Sequence, residues 1–516
     1  MRDYDAIVIG SGMGGLTAAS LLTRRAGKRV LVLERHFKLG GFNHAFQRNR
    51  FHWDVGLHYV GGMGPGEQSR KVMDLVTGGQ VDWAPMPDYF EVFHYPDLSV
   101  SVPSDPRAYA AALIDSFPHE AKSIRSYFTD VKRATSWLTR EVVSWNLPAP
   151  LAASARLLGL RSRRLGLSTT ADYLRARVGD PRLRAVLASQ WGDYGLPPEQ
   201  SAFAQHALIV DHYLRGAWYP VGGSDAMTDA MVAIVREGGG DARVYSTVEE
   251  ILVEKDRAVG VRVATRRGRD SHVEDIRAPI IISDAGARAT FEHLLRQPLP
   301  QAEALRSHPH GLANVTAYLG LRESPERLGF RGENHWYFDT FDHEAMATSD
   351  SVISGEPRYG YLSFPSLKDP SASRHTAEII TAAPVAAFEP WAGTRWRNRG
   401  EDYEMLKKGL GAGLIALVER QAPGFADLVE HVEVSTPLTV DNFAGYRSGS
   451  FADLAGTPDR FRHKMFPATV MPGLYLAGAD AMALGIVGAM MGGVLAAGSA
   501  LGPTGIPRLM AAAAKG

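Results

Sequence analysis

Residues Tyr4–Leu22 read YDAIVIGSGMGGLTAASLL. An apolar run, Ala6–Ile9, enters a cluster of glycines, and the cluster runs into a stretch that reads as a helix. Gly10, Gly12 and Gly15 set out G-x-G-x-x-G, with Gly14 beside the third glycine. Gly10 permits the tight turn, Gly12 lets the backbone approach a pyrophosphate, and Gly15 lets the helix lie close to the sheet. The helix N-terminus then offers free N–H groups and a partial positive charge to an anion. The next segment, KRVLVLE, reads as a second strand and ends in Glu34, 19 residues after Gly15. A carboxylate about 20 residues on is what a pair of ribose hydroxyls requires. Strand, turn, helix, strand and acid in this order predict a Rossmann-type dinucleotide unit. FAD and NAD both use that unit, so it does not name the cofactor.

The 516 residues exceed what one simple core accommodates, and two or more domains are expected. Lys plus Arg balances Asp plus Glu at 56 each, which gives no support for a nucleic-acid partner. Cysteine is absent, which excludes disulfides, thiolate metal sites, a cysteine nucleophile and a flavin attached through cysteine. The 17 histidines show no H-E-x-x-H or comparable spacing, so no metal site is expected. The first strand starts near residue 4, which leaves no room for a removable leader. A cytoplasmic protein with possible peripheral membrane contact is expected. Ala481–Pro503 carries no charge and has the length of a membrane span, but its glycines and the preceding strand predict a buried helix.

Two further blocks belong with the opening unit. In the first, Gly222 and Gly223 precede a predicted helix with Met227, Met231, Ile234 and Val235 at helical spacing. Strands through Val244, Ile251 and Val261 follow, with a turn expected at Asp256–Arg257, and they fit a small antiparallel insert. The block closes on APIIISDAG, a strand ending at Asp284. In the second, MPGLYLAGADAMALGIVGAMMGGVLAA (471–497), a strand delivers Gly478 and Asp480 and a glycine-rich helix starts near Gly485–Gly488. A helix dipole there suits the negative charge that a reduced flavin carries at N1 and O2.

These segments resemble the retinol saturase-like branch of the phytoene desaturase and carotenoid isomerase family of FAD-dependent oxidoreductases. The resemblance covers nearly the whole chain and includes FHWDVGLHYVGG (51–62), GAWYPVGGSDAM (216–227), EDYEMLKKGL (401–410), VEVSTPLTVDNF (432–443) and TPDRF (457–461). It implies non-covalent FAD, with Gly40–Gly41 completing an extended fingerprint and Lys38 near the cofactor phosphates. It implies that Val248 edges the adenine, that Asp480 binds the ribityl–phosphate region, and that the helix at Val487–Gly488 faces the pyrimidine end. Arg35 and Asp284 are grouped with these cofactor contacts. The chain departs from the branch at Ala45, at Phe42 and Asn43 where retinol saturases commonly carry cysteines, and at Ala452–Asp453. These departures leave the flavin reading intact and weaken any claim that retinol itself is the substrate.

The expected fold is α/β: a doubly wound, Rossmann-type FAD-binding domain from segments 1–80, 210–300 and 460–516. A mixed α+β substrate domain is expected from 81–209 and 301–459. The latter segments are rich in aromatics, including Trp83, Trp137, Trp191 and Trp336, which suits a core or an apolar channel. His58 and Tyr59 are the candidates for proton transfer or polar anchoring, since histidine titrates near neutrality; Asn334-His335-Trp336 is a second candidate. GLGAG (409–413) lies in a helical run, so no second dinucleotide fold for NAD(P)H is expected, and any reductant or redox partner acts transiently. Arg156, Arg161, Arg163 and Arg164 in LAASARLLGLRSRRLGLS (151–168) suit contact with anionic lipid or a solvated basic segment.

The expected function is oxidoreduction at carbon–carbon double bonds of a hydrophobic polyene or isoprenoid by hydride transfer at flavin N5, with saturation, desaturation and isomerisation left open. The alternatives are a flavin amine oxidase and a prenyl-binding escort protein. Oligomeric state is left open.

Overall fold

The computed structural model describes residues 4–144, 159–267, 270–446, 448–462 and 469–515. Ala6–Ile9, the helix Met13–Ala26 and Val30–Leu33 form as the opening stretch predicts. The two strands pair in parallel, Ala6 opposite Val30 and Ile9 opposite Leu33. Distant segments complete a five-stranded parallel sheet in the order 241–243, 30–33, 6–9, 280–283, 474–476. The central strands read as unbroken apolar runs because a parallel sheet is buried on both faces. Successive residues sort to opposite sides with the strand period of two. Ala6, Val8, Val30 and Val32 pack with the helices. Ile7, Ile9, Leu31 and Leu33 pack beneath the antiparallel strands Ser246–Glu254 and Arg257–Arg267.

That second layer is the expected insert, completed by Asp270–Arg277. Its first hairpin turns one residue earlier than expected. Lys255 and Asp256 both take positive φ, 48° and 58°, and Arg257 already pairs with Glu254. Two left-handed residues give a turn whose twist matches the strands.

The uncharged C-terminal segment forms the helix Ile486–Ala500, buried against Met13–Ala26. A Cβ on Gly493 would collide with the Gly14 carbonyl, so the two helices meet backbone to backbone. No helix among the described residues is long and apolar enough to cross a membrane.

The second layer system is a seven-stranded mixed sheet in the order 429–435, 314–321, 375–382, 359–363, 334–338, 89–95, 98–103. One face packs Ala317, Leu319, Leu362 and Ile379 against Leu414 and Val418 of the helix Glu401–Glu419, which contains the GLGAG run. A hairpin, Ala45–Arg48 with Phe51–Asp54, reaches from the parallel-sheet unit to this sheet. There Trp53 is fully buried and its indole N–H donates to the Leu319 carbonyl at 3.0 Å. Truncating such an anchor to alanine costs about 3–5 kcal/mol.

Candidate active site

Three segments far apart in sequence meet at the C-terminal ends of the parallel strands, where ligands of open α/β sheets bind. Gly10, Gly12 and Gly15 crowd Asp284 so closely that a Cβ on Gly12 would lie 2.6 Å from its Oδ2. A Cβ on Gly14 would strike the Gly478 backbone. Gly41, with φ +58°, brings the second glycine pair onto the first: its Cβ would lie 2.9 Å from the Gly12 Cα. Gly40 donates to the Ser11 hydroxyl at 3.0 Å.

Glu34 is buried at the tip of its strand. Its Oε2 accepts from the Ser11 N–H at 3.0 Å and the Ser11 hydroxyl at 2.6 Å, and its Oε1 from the His36 N–H at 2.8 Å. The Glu34 carbonyl takes the Ser246 N–H at 2.8 Å, which fixes Val248 beside the same corner. The Asp284 carboxyl lies over the first turn of Met13–Ala26. Burial pushes it up to about 7, with the Gly15 and Gly12 N–H groups pulling the other way and the charges of Glu34 and Asp480 adding to the rise. The Gly12 and Gly15 N–H groups converge on an acceptor, and such a donor set at a helix start fits a pyrophosphate.

Asp480 faces the same loop, its Oδ2 accepting from the Ala287 N–H at 2.7 Å. Burial and then the charge of Asp453 raise it to about 6. Val487 and Gly488 lie in the first turn of Ile486–Ala500, half-buried. Two cationic side chains lie elsewhere in the surroundings. Lys38 pairs with Asp225 at 2.7 Å and donates to the Ala45 carbonyl at 2.6 Å. Arg35 donates to the Asn442 carbonyl at 3.2 Å.

The other face of the seven-stranded sheet packs on residues 55–59, and Gly56 of that segment lies against Phe42, next to the second glycine pair. The sheet register sets Tyr318 opposite Glu378, Glu378 opposite Ser363, and Asn334 opposite Glu91. This polar row has a buried lysine over it. Lys368 Nζ donates to the His58 carbonyl at 2.8 Å, to Ser363 Oγ at 2.7 Å and to Asn334 Oδ1. Burial lowers it to about 7 against the pull of Glu378 and Glu91. His58 Nδ1 lies 2.9 Å from Glu378 Oε2, though the two are not aligned for a hydrogen bond. Burial, with Lys368 adding to it, lowers His58 to about 3, so the ring is neutral. Glu378 is fully buried and pushed well above the carboxylate range by burial and the charge of Asp54.

Tyr59 is stacked on Tyr213 with centroids 4.1 Å apart. Its hydroxyl meets Glu91 Oε1 at 2.9 Å and Asp193 Oδ2 at 2.7 Å. Asn334-His335-Trp336 splits by strand alternation. Asn334 and Trp336 join the polar row, while His335 points to the opposite face and meets His94 at 2.9 Å. Lys368, Glu378, Glu91 and Asp193 are absent from the sequence candidates. The signal for two of them was a single acid inside an apolar strand, EVFHY at Glu91 and HTAEIITA at Glu378.

A family model described as an NAD(P)-binding Rossmann-like domain matches residues 8–76. The chain is 33% identical to all-trans-retinol 13,14-reductase of Rattus norvegicus, over 96% of this chain and 85% of that protein. The chain belongs to the all-trans-retinol 13,14-reductase family of FAD-dependent oxidoreductases. This family member is also 26% identical to the chloroplastic prolycopene isomerase of Arabidopsis thaliana, over 96% and 82% of the two chains. A cofactor-binding variant of putrescine oxidase shares its fold, with a TM-score of 0.66, 15% identity and coverage of 96% and 98%. As a member of the retinol-reductase family the protein is an oxidoreductase with a flavin-type dinucleotide cofactor, which sets aside the escort reading.

Proposed function

We propose that the protein binds FAD non-covalently and catalyses oxidoreduction at a carbon–carbon double bond of an apolar polyene or isoprenoid. The observation that carries this is the juxtaposition of an anion-accepting glycine cradle with an aromatic cluster that encloses a few polar groups. Glu34 would hold the ribose hydroxyls, and the first turn of Met13–Ala26 would hold the pyrophosphate. The N-terminus of Ile486–Ala500 would face the flavin ring, and Val248 the adenine. When bound, FAD supplies hydride exchange at N5.

The chain's own residues position the substrate and manage protons. A neutral His58 beside a protonated Glu378 is suited to anchor a polar end group, because each uncharged group keeps both a donor and an acceptor. Tyr59, Tyr213, Tyr361 and Trp336 form apolar walls; the rings of Trp336 and Tyr361 lie 4.6 Å apart. A second reading, amine oxidation, draws on the acids Glu91 and Asp193 among these rings, a setting that also suits a cation.

The test is anaerobic incubation of oxidised and dithionite-reduced protein with retinol, a short polyene and a carotene, followed by mass and chiral analysis. Gain of two hydrogens marks saturation, loss of two marks desaturation, and an unchanged mass marks isomerisation. Flavin reduction by a primary amine with no change in any polyene would replace this reading with amine oxidation.

A further inference from the structure

The Tyr59 hydroxyl has one proton and two carboxyl neighbours, Glu91 at 2.9 Å and Asp193 at 2.7 Å. The other hydrogen bonds settle which contact that proton serves. Glu91 Oε1 also accepts from the Trp336 indole N–H at 2.6 Å, and Oε2 accepts from the Gln190 amide at 2.8 Å. Burial pushes Glu91 up to about 7, and the Trp336, Tyr59 and Gln190 donors pull it back toward the carboxylate. With Tyr59 donating to Glu91, the 2.7 Å contact to Asp193 requires a second proton, and that proton belongs to Asp193 Oδ2. Two carboxyls that share one hydroxyl partner titrate as a pair, ionisation of the first disfavouring that of the second. Burial and the neighbouring Glu91 charge both favour the protonated Asp193.

Asp193 lies on the short helix Ser189–Tyr194 and is half-buried, whereas Glu91 is fully buried. Two residues on, the Gly195 carbonyl accepts the Leu312 N–H at 2.9 Å. Leu312 and Leu484 pack on the same hydrophobic cluster as Tyr59, and Leu484 immediately precedes Gly485, the N-cap of Ile486–Ala500. Asp193 thus stands at the aromatic cluster around Tyr59, and its helix is tied through Gly195 to Leu312.

We infer that Asp193, in hydrogen-bond contact with the Tyr59 hydroxyl that also meets Glu91, is the acid that protonates the substrate double bond during saturation. The inference rests on the olefin reading above. The Asp193 O–H bond breaks, and its proton forms a new C–H bond with the olefin's π electron pair. The neighbouring carbon receives hydride, with its two electrons, from the cofactor reduced by an external two-electron donor, which is dithionite in the test. Asp193 is left ionised beside Glu91 and regains its proton from water. Dehydrogenation along the reverse path would use Asp193 ionised, as the base that takes the proton.

The test uses the FAD-loaded full chain and two readouts. Infrared spectra at neutral pH, in H2O and D2O, are expected to contain a protonated-carboxyl band that Asp193→Asn removes and Tyr59→Phe shifts. Glu378→Gln should leave that band in place. In single turnover, reoxidation of the reduced flavin by a retinoid or short polyene should slow about a hundredfold or more in Asp193→Asn, the scale of a lost general acid. Asp193→Glu should restore part of it, with unchanged flavin absorbance showing that the cofactor site is intact. A wild-type spectrum with no band sensitive to Asp193→Asn overturns the inference. So does wild-type turnover that this variant leaves unaltered, which overturns Asp193 alone. Absence of any olefin turnover by the wild type overturns the olefin reading itself, and the role of Asp193 with it.

Discussion

Glu34 holds Ser11 twice, through the backbone N–H at 3.0 Å and the hydroxyl at 2.6 Å. The end of the second strand thereby braces the turn that leaves the first. In the proposed function Glu34 would have two tasks, binding the sugar and shaping the phosphate turn. Glu34→Ala is expected to weaken FAD binding by tenfold to a hundredfold, since hydrogen bonds to a charged group contribute about 1.5–3 kcal/mol each. Titration of the apoprotein, followed by flavin fluorescence, checks this. An unchanged dissociation constant would remove Glu34 from the site.

Asp284 competes for the same helix N-terminus that would take the pyrophosphate. Its folded pKa, about 7, lies above the ordinary 3.8, so the protonated form is favoured in the fold. Ionisation as pH rises through about 7 adds a negative charge beside the cradle, with Glu34 and Asp480 also facing it. FAD affinity should therefore fall across this range. Asp284→Asn should flatten the dependence and bind more tightly above it, measured by titration from pH 5.5 to 8.5, about 1.5 units either side of that value.

Glu378 gives a stability signature of its own. Its folded pKa is raised, so the stability it contributes is fully present below the ordinary 4.5 and is lost as pH climbs toward the raised value. The charged groups facing it are Lys368 and Asp54, with His58 alongside. Glu378→Gln keeps the shape of the neutral acid and removes the ionisation. Its melting temperature should match the wild type near pH 4 and exceed it in alkaline solution. A variant that melts lower at every pH would show instead that the carboxylate form is needed.

We propose that the basic helical face meets anionic lipid. Arg161, Arg163 and Arg164 are exposed on Leu160–Gly166, beside Leu160, which is 53% exposed; Arg156 lies outside the described residues. Nearby, Arg107, Arg125, Lys132, Arg133 and Arg140 rim a groove of about 640 Å³ between Pro106–Ser116 and Ala121–Ser144. Each basic residue near an anionic surface contributes about 1 kcal/mol. Replacing the four arginines 156, 161, 163 and 164 with serine should reduce co-sedimentation with phosphatidylserine vesicles at least tenfold. Equal sedimentation of variant and wild type would refute the contact.

The amino-acid sequence by itself determined the parallel-sheet unit and the glycines of the cradle. A tight turn, a helix start and a close backbone approach each demand particular residues at short, fixed spacing, and Gly10 to Gly15 with Glu34 satisfy all three locally. It also carried the burial of the glycine-rich helix at 486–500, because an uncharged segment following a strand and turn has a protein core available to it. The polar row was decided only by tertiary structure. Glu91 lies far in sequence from Glu378 and Lys368; strand register sets the two acids on one face, and Lys368 reaches over it from the short helix Pro365–Lys368. The setting of Asp193 depends in the same way on a single Tyr59 hydroxyl lying between two acids 102 residues apart in sequence. Long-range pairing leaves no periodic trace in the chain, whereas the chemistry of a buried group is set by its neighbours in space.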